Sequence, residues 1–316
     1  MELTLIYTII GFGLAGYSVI ANDSIQTLGT FIASKQKWFK WYTLASAASL
    51  VMIFAITWGW YSNDGDISYG RLTRIPFQEI QWYHAVAPAI LLALTRIGIP
   101  VSTTFLVLSA FASTVVLEKM LVKSIVGYGI AATVAYFCWI AVSKFINEKL
   151  DEVKGDKWIA FWRNSVWVSS GWLWWVWLSH DVANIAVYLP RQLDFSLLLI
   201  VITYFTALLF YIFYIRGGSI QQVVLEKTGT RYARSATIIN VIYAAVLFYF
   251  KELNDLPMST TWVFVGLLCG RELAISTMNK DYKFKYVFPL IGKDFVKMIF
   301  GFCLLYTSDA ADELSC

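Results

Sequence analysis

Two aspartates and two hydroxyl triplets are the residues of this 316-residue chain best placed to do chemistry. Asp23 follows Ala21-Asn22 and Asp181 follows Ser179-His180, each at the end of a long apolar run, 158 residues apart. Pro100-Val101-Ser102-Thr103-Thr104 returns as Pro257-Met258-Ser259-Thr260-Thr261, offset by 157. Two unlike motifs recurring in one order at nearly one spacing mark an internal duplication. An ionisable residue at membrane depth is expensive and is by default a functional candidate. The plain alternative is that each aspartate caps the next helix, because Asn-Asp and His-Asp are good N-caps. The duplication favours a buried cation site, where carboxylate and carbonyl oxygens suit Na⁺ or accept H⁺. Each triplet follows a proline that ends one half-helix and precedes another, which sets hydroxyls and free N–H groups at a positive dipole end. Two such tips meeting would cage a tetrahedral oxyanion; taken singly, each is an ordinary Ser/Thr helix cap.

The elements that position these residues must lie in a membrane. Hydrophobic residues make up 58% of the chain and charged residues 15%, with mean hydropathy +0.61. Soluble domains run near 45–50% apolar and about 25% charged. This composition excludes disorder and collagen and argues against a soluble enzyme. The net charge of +4 sits in loops rather than on one basic face, which argues against nucleic-acid binding. Expected spans are 1–21, 41–60, 121–145, 161–179 and 196–215. With Glu2 as the only early charge, the first is read as a span and not as a cleavable signal. Two further runs, 82–97 and 236–250, are about 15 residues long, too short for a comfortable crossing. Each leads into a Pro-x-Ser-Thr-Thr stretch and a second apolar run, the pattern of a re-entrant hairpin that turns at the proline and leaves on its starting side.

A third echo pairs Val122-Lys123 with Val296-Lys297 at an offset of 174, so the second half carries extra residues somewhere in 271–293. The expected organisation is a first inverted repeat over 1–145, a cytoplasmic linker over 146–160, and a second repeat over 161–305. The last helix is expected to begin near Lys297 and to be truncated. Residues 306–316 resemble translated sequencing adapter and are expected to be non-native. With re-entrant hairpins, 18 Lys/Arg fall on one face and five on the other; with 82–97 and 236–250 as full spans before separate hairpins the tally is 12 against 11. Two full crossings in place of a hairpin have the same parity, so segment length carries that distinction. The positive-inside rule favours the inverted arrangement, multi-pass in the cell membrane with the N-terminus outside.

Other signals are weaker. Cys138, Cys269, Cys303 and Cys316 have no paired spacing and read as small packing residues. Gly11-Phe12-Gly13 with Gly16 lacks a strand–helix context and reads as close helix packing. The seven tryptophans at 158–177 are expected at the interface and facing lipid, with an aromatic wall beside the site as the alternative. Arg96 and Lys251 flank the hairpins and are expected to snorkel, with attraction of anions as the alternative. His84 is assigned no role.

Asn22-Asp23, Asp181-Val182-Ala183-Asn184 and the two Pro-x-Ser-Thr-Thr motifs resemble the inorganic phosphate transporter (PiT) family. Its signature is Gly-Ala-Asn-Asp-Val-Ala-Asn-Ala in each repeat, followed by a Pro-[Ile/Val]-Ser-x-Thr hairpin. The resemblance implies an all-α membrane protein that is not an enzyme and carries inorganic phosphate with Na⁺ or H⁺ by alternating access. It implies that Asp23 and Asp181, with Asn22, hold Na⁺. It also implies that Ser102, Thr103, Thr104, Ser259, Thr260 and Thr261 hold phosphate, with Gln26 and Asn184 beside them. No cofactor is expected, and the partners are phosphate, the coupling ion and the bilayer; a homodimer stays open. Gln26 stands where the family has its second Asn, and His180 stands where it has the Asn before Asp. His180 is therefore a candidate proton-coupling group, against a neutral histidine simply replacing Asn. A sulfate or other oxyanion permease is the first alternative, and a non-transporting sensor or assembly subunit on the same fold the second.

Overall fold

The computed structural model describes residues 2–96, 102–143, 159–217 and 233–278, with the isolated positions 292 and 296. Pro100, Val101, most of the 146–160 linker, the helix expected at Lys297, Cys303, Cys316, Trp158 and the 306–316 tail lie outside the described residues. So do the side chains of Asn22 and Arg96.

Every regular element among the described residues is helical. The first half holds α1 (Glu2–Ser18), a π-helical turn (Val19–Asp23), α2 (Ile25–Lys35), α3 (Trp41–Ser62), α4 (Trp82–Arg96), α5 (Thr103–Ser109) and α6 (Thr114–Ser143). The second holds α7 (Ile159–Asp181), the short α8 (Ala183–Ala186), α9 (Phe195–Tyr214), α10 (Ala233–Leu253) and α11 (Thr260–Met278). Helices α3, α6, α9 and α10 are long and apolar enough to cross a membrane. The expected spans fall on α1, α3, α6, α7 and α9, of which α3, α6 and α9 are among those four. Helix α6 starts at Thr114, before the apolar run, because the exposed Glu118 and Lys119 are good helix formers whose charges reach solvent.

Two expectations need correction. The run 236–250 lies inside a helix of 21 residues, Ala233–Leu253, which is long enough to cross. Its polar start is sheltered, with buried Arg234 lying 5.5 Å from the Trp162 ring centroid. Its length is therefore no argument for a re-entrant path, whereas α4, at 15 residues, stays short. The tryptophans of α7 are not all at the lipid face either. Trp174 and Trp177 are fully buried and stack on one another with centroids 5.2 Å apart, because α7 packs on α2, α3 and α10 in the middle of the bundle.

Packing repeats between the halves. Helix α1 packs on α4 as α7 packs on α10; α2 packs on α7 as α8 packs on α1; and α3 packs on α9. Helices α6 and α11 run parallel in close contact. Successive pairs along them are Ser124 with Ser259, Tyr128 with Gly266, Ala132 with Gly270 and Tyr136 with Thr277. At Gly266 and Gly270 a Cβ would press into the carbonyls of Tyr128 and Ala132, so this G-x-x-x-G sets the helix spacing. By the 157-residue offset Ser109, the end of α5, corresponds to Gly266, yet α11 continues to Met278. Part of the extra length of the second half is therefore extra helix. Gly11 and Gly16 meet the rings of Tyr188 and Tyr204, in keeping with close packing.

Loop ends are fastened in two groups. Lys35 Nζ donates to the Arg163 carbonyl, tying the 35–40 loop to the start of α7. On the other group, Leu193 N donates to Gly65 O at 3.0 Å, Trp60 Nε1 to Leu193 O at 2.8 Å and Arg191 Nη2 to Ile75 O at 2.9 Å. His84 Nε2 sits 3.0 Å from Ala110 O, and Gln78 Nε2 donates to Phe111 O at 3.1 Å. The chain leaving α5 is thus back beside the start of α4.

Candidate ion and oxyanion site

The helical path is interrupted at α1/α2 by a π-helical turn and at α7/α8 by Val182, and this puts Asp23 and Asp181 inside the bundle; main-chain bonds continue across both places, Ser24 N to Val19 O and Val182 N to Leu178 O, each at 3.0 Å. The π-helical turn before Asp23 is of a kind often found at functional sites. Both aspartates are buried, and they lie within electrostatic reach of one another. The two hydroxyl triplets start α5 and α11. Ser102 Oγ accepts from Phe105 N at 3.3 Å and Ser259 Oγ from Trp262 N at 3.2 Å, so both serines cap their helices. The capping reading therefore holds for the serines, whose hydroxyl protons remain to be donated.

The threonines behave differently. Thr103 donates to Asp23 Oδ2, and its counterpart Thr260 donates to Asp181 Oδ2 at 2.7 Å. Each of these bonds stays within its own half. The next threonine in each triplet reaches across: Asn184 Nδ2 donates to Thr104 Oγ1 at 3.2 Å, and Gln26 Nε2 donates to Thr261 Oγ1 at 3.1 Å. Gln26 and Asn184 are 158 residues apart, the same offset as the aspartates. The four bonds form two equivalent pairs, one pair within the halves and one across them. Asp181 Oδ1 also accepts from Asn184 at 2.9 Å and Thr104 at 3.3 Å.

Every described side chain of the expected site except His180 thus enters one of these helix starts or the network joining them; Asn22 lies outside the described residues. His180 Nε2 bonds to the Leu247 carbonyl at 2.9 Å, a main-chain partner on α10. Its Nδ1 is buried without a partner. The other buried atoms without partners include Arg71 Nη1 and, at equivalent positions of the two halves, the acceptors Gln26 Oε1 and Asn184 Oδ1. A buried acceptor left unpaired costs about 1–3 kcal/mol, so this pair marks where a cation or a hydrogen-bond donor would be stabilised. Among the described residues no three His, Cys, Asp or Glu cluster as a metal site would require. An ion held here would rely on two carboxylates plus neutral amide, hydroxyl and backbone oxygens, a donor set that suits a hard monovalent cation.

Sequence reasoning missed four contributors. Arg71, on the α3–α4 loop, is buried, donates from Nε to Ser179 O at 2.6 Å, and lies within electrostatic reach of Asp181. Tyr243 donates to Thr260 O at 3.0 Å, and Ser124 accepts from Ser259 N at 2.9 Å. Asn240 joins a second buried cluster, accepting from Thr30 at 2.8 Å and donating to Ser170 at 2.9 Å. A lone amide in the apolar 236–250 run was the one signal available for Asn240. Nothing in the sequence distinguished Arg71 from any other loop cation.

This fold is that of an all-helical membrane protein with, among the described residues, four helices long and apolar enough to cross, built around two interrupted helices and two hydroxyl-tipped helices. Its fold is that of a solved structure of the sodium-dependent phosphate transporter. The two agree with TM-score 0.62 over 96% of this chain and 95% of that one, at 16% identity. No protein-family profile and no curated protein sequence matches the chain. The resemblance read from the motifs therefore holds at the level of the fold, in a divergent sequence.

Proposed function

We propose that the chain is a secondary transporter that carries inorganic phosphate with Na⁺ or H⁺ by alternating access. The observation that carries this reading is the paired network: Asp23 with Thr103, Asp181 with Thr260, and the crossed amide bonds of Gln26 and Asn184. Transporter sites lie where inverted repeats meet, at broken helices near the midplane. Both aspartates and both triplets converge on one buried polar centre, which favours transport over a sensor or assembly subunit. The transporter nature of the structural neighbour is in line with a non-enzymatic role.

Two inverted repeats with re-entrant hairpins are part of the proposal. Loop fastenings support it, because a single full crossing at 82–97 would put the 35–40 loop and the start of α7 on opposite faces, whereas Lys35 bonds to Arg163. The return of Ala110 to His84 supports a first hairpin that exits where it entered. For the second, Lys123 Nζ, ten residues into α6, holds Asn254 O at 3.1 Å and Leu256 O at 2.7 Å. That depth, with the parallel run of α6 and α11, supports a turn inside the bundle.

Asp23 and Asp181, with Asn22, would hold the cation, and the triplet hydroxyls with the helix starts would hold the anion. His180 as a proton-coupling group is the weaker element, since its bond goes to Leu247. Uptake of labelled phosphate and sulfate into proteoliposomes under imposed Na⁺ or H⁺ gradients tests the reading. Gradient-driven phosphate accumulation is expected; no accumulation of either anion under either gradient would return the chain to the sensor class.

A further inference from the structure

A second basic site lies away from the aspartates. The end of α2, the start of α3 and the end of α9 enclose a cleft of about 400 Å³. Lys37, Lys40 and Arg216 line it, and no acidic residue does among the described residues. None of the three cations has a carboxylate partner among the described residues. Arg163 lies 4.5 Å from the Trp38 ring centroid at the rim and adds a fourth positive charge.

The walls are graded. Ile32, Leu44 and Phe213 are buried at the base. Trp38, Trp41 and Tyr42 are exposed at the rim, the residue types that settle at a membrane–water interface. Trp41 and Tyr42 open the membrane-crossing helix α3, and Arg216 lies just past the end of α9, so the cleft sits at headgroup level.

Arg216 also occupies an unusual backbone position. Helix α9 ends in a Schellman turn, with Gly217 N bonded to Ile212 O at 2.9 Å and Arg216 N to Phe213 O at 3.1 Å. The residue after the C-cap in that motif adopts the left-handed conformation and is usually glycine. Here it is Arg216, with φ of 54°. An arginine held where glycine is favoured, with its side chain lining the cleft, indicates that the side chain itself is used.

We propose that this cleft binds the phosphate headgroup of an anionic phospholipid in the leaflet on the lysine-rich face of the protein. Basic pockets between membrane helices recognise such headgroups by charge. Here the apolar base and aromatic rim would receive the glycerol and upper acyl chain, which a free anion lacks.

The test uses the purified, delipidated full chain titrated with phosphatidylglycerol or phosphatidylcholine and read by native mass spectrometry. Three proteins are compared: the unaltered chain, Arg216→Gly, and Lys37→Gln/Lys40→Gln/Arg216→Gly. The unaltered chain should retain phosphatidylglycerol at least about tenfold more tightly than phosphatidylcholine, and each cation lost should weaken it about fivefold. Arg216→Gly relieves a left-handed arginine, so its melting temperature should be unchanged or higher, and its lipid loss cannot be unfolding. Equal phosphatidylglycerol retention by all three proteins would overturn the proposal. Displacement of the lipid by equimolar glycerol phosphate would also overturn it, in favour of a soluble-anion site.

Discussion

Gln26 and Asn184 hold equivalent places in the two halves, and each gives its amide N–H to the second threonine of the other half's triplet. Each then keeps a buried amide oxygen without a partner. The polar centre is therefore shared between the halves.

Asp23→Asn and Asp181→Asn should each abolish gradient-driven uptake while leaving membrane insertion intact. Each change removes the carboxylate that would balance a cation but keeps a side chain of the same shape, able to accept from Thr103 or Thr260. Uptake in proteoliposomes, alongside protein yield in the membrane fraction, measures both effects. Full coupled transport by either variant would sink the cation site.

Threonine and serine replacements should separate. Thr104→Ala and Thr261→Ala should weaken anion affinity by about 0.5–1.5 kcal/mol each, or up to about 3 kcal/mol if the bond is charge-assisted. Ser102→Ala and Ser259→Ala should cost about 1 kcal/mol of stability as well, because both serines cap helices. Phosphate binding isotherms and thermal melts in detergent distinguish the two effects. Unchanged affinity with alanine at all six triplet positions would rule out the hydroxyl cage.

Selectivity follows from protonation. Phosphate near neutral pH carries a proton to donate, whereas sulfate only accepts. With Gln26 Oε1 and Asn184 Oδ1 awaiting donors, phosphate should win by roughly 5- to 150-fold, the equivalent of one unpaired buried acceptor. Arsenate should compete and sulfate should not. Sulfate displacing phosphate at equal concentration would instead favour the sulfate-permease reading.

Gly266→Ala and Gly270→Ala should each lower stability by about 1–3 kcal/mol, as overpacking does. The added methyl groups meet the carbonyls of Tyr128 and Ala132 rather than a movable side chain. Thermal melts of the purified variants check this, and an unchanged melting temperature would mean that the α6–α11 contact can open.

Much of this was legible in sequence because duplication converts position into geometry. The offset of 157–158 residues alone paired Asp23 with Asp181 and each Thr with its counterpart, and the apolar runs located α1, α3, α7 and α9 to within a few residues. Crossed bonding was not legible, because one-dimensional spacing says which residues are equivalent and not whether they meet within a half or across halves. The role of Arg71 was hidden for a related reason: a loop residue is drawn into the interior by the tertiary path of 63–81. Helix α10 was underestimated because apolar length was equated with helix length. Arg234 remains helical and buried by packing over Trp162, which hydropathy does not register.

The parallel seam between α6 and α11 sets an order of events during synthesis. Tyr128 is made 138 residues before Gly266, the residue that packs on its carbonyl. At 5–20 residues per second that interval is roughly 7–28 s. Over the same stretch Gln26 has no Thr261 to bond, and Thr104 waits for Asn184. A ribosome therefore delivers a first half whose inner face is complete in sequence but lacks its packing partners. Anything that holds nascent membrane helices together would have to shelter that face until the second half arrives.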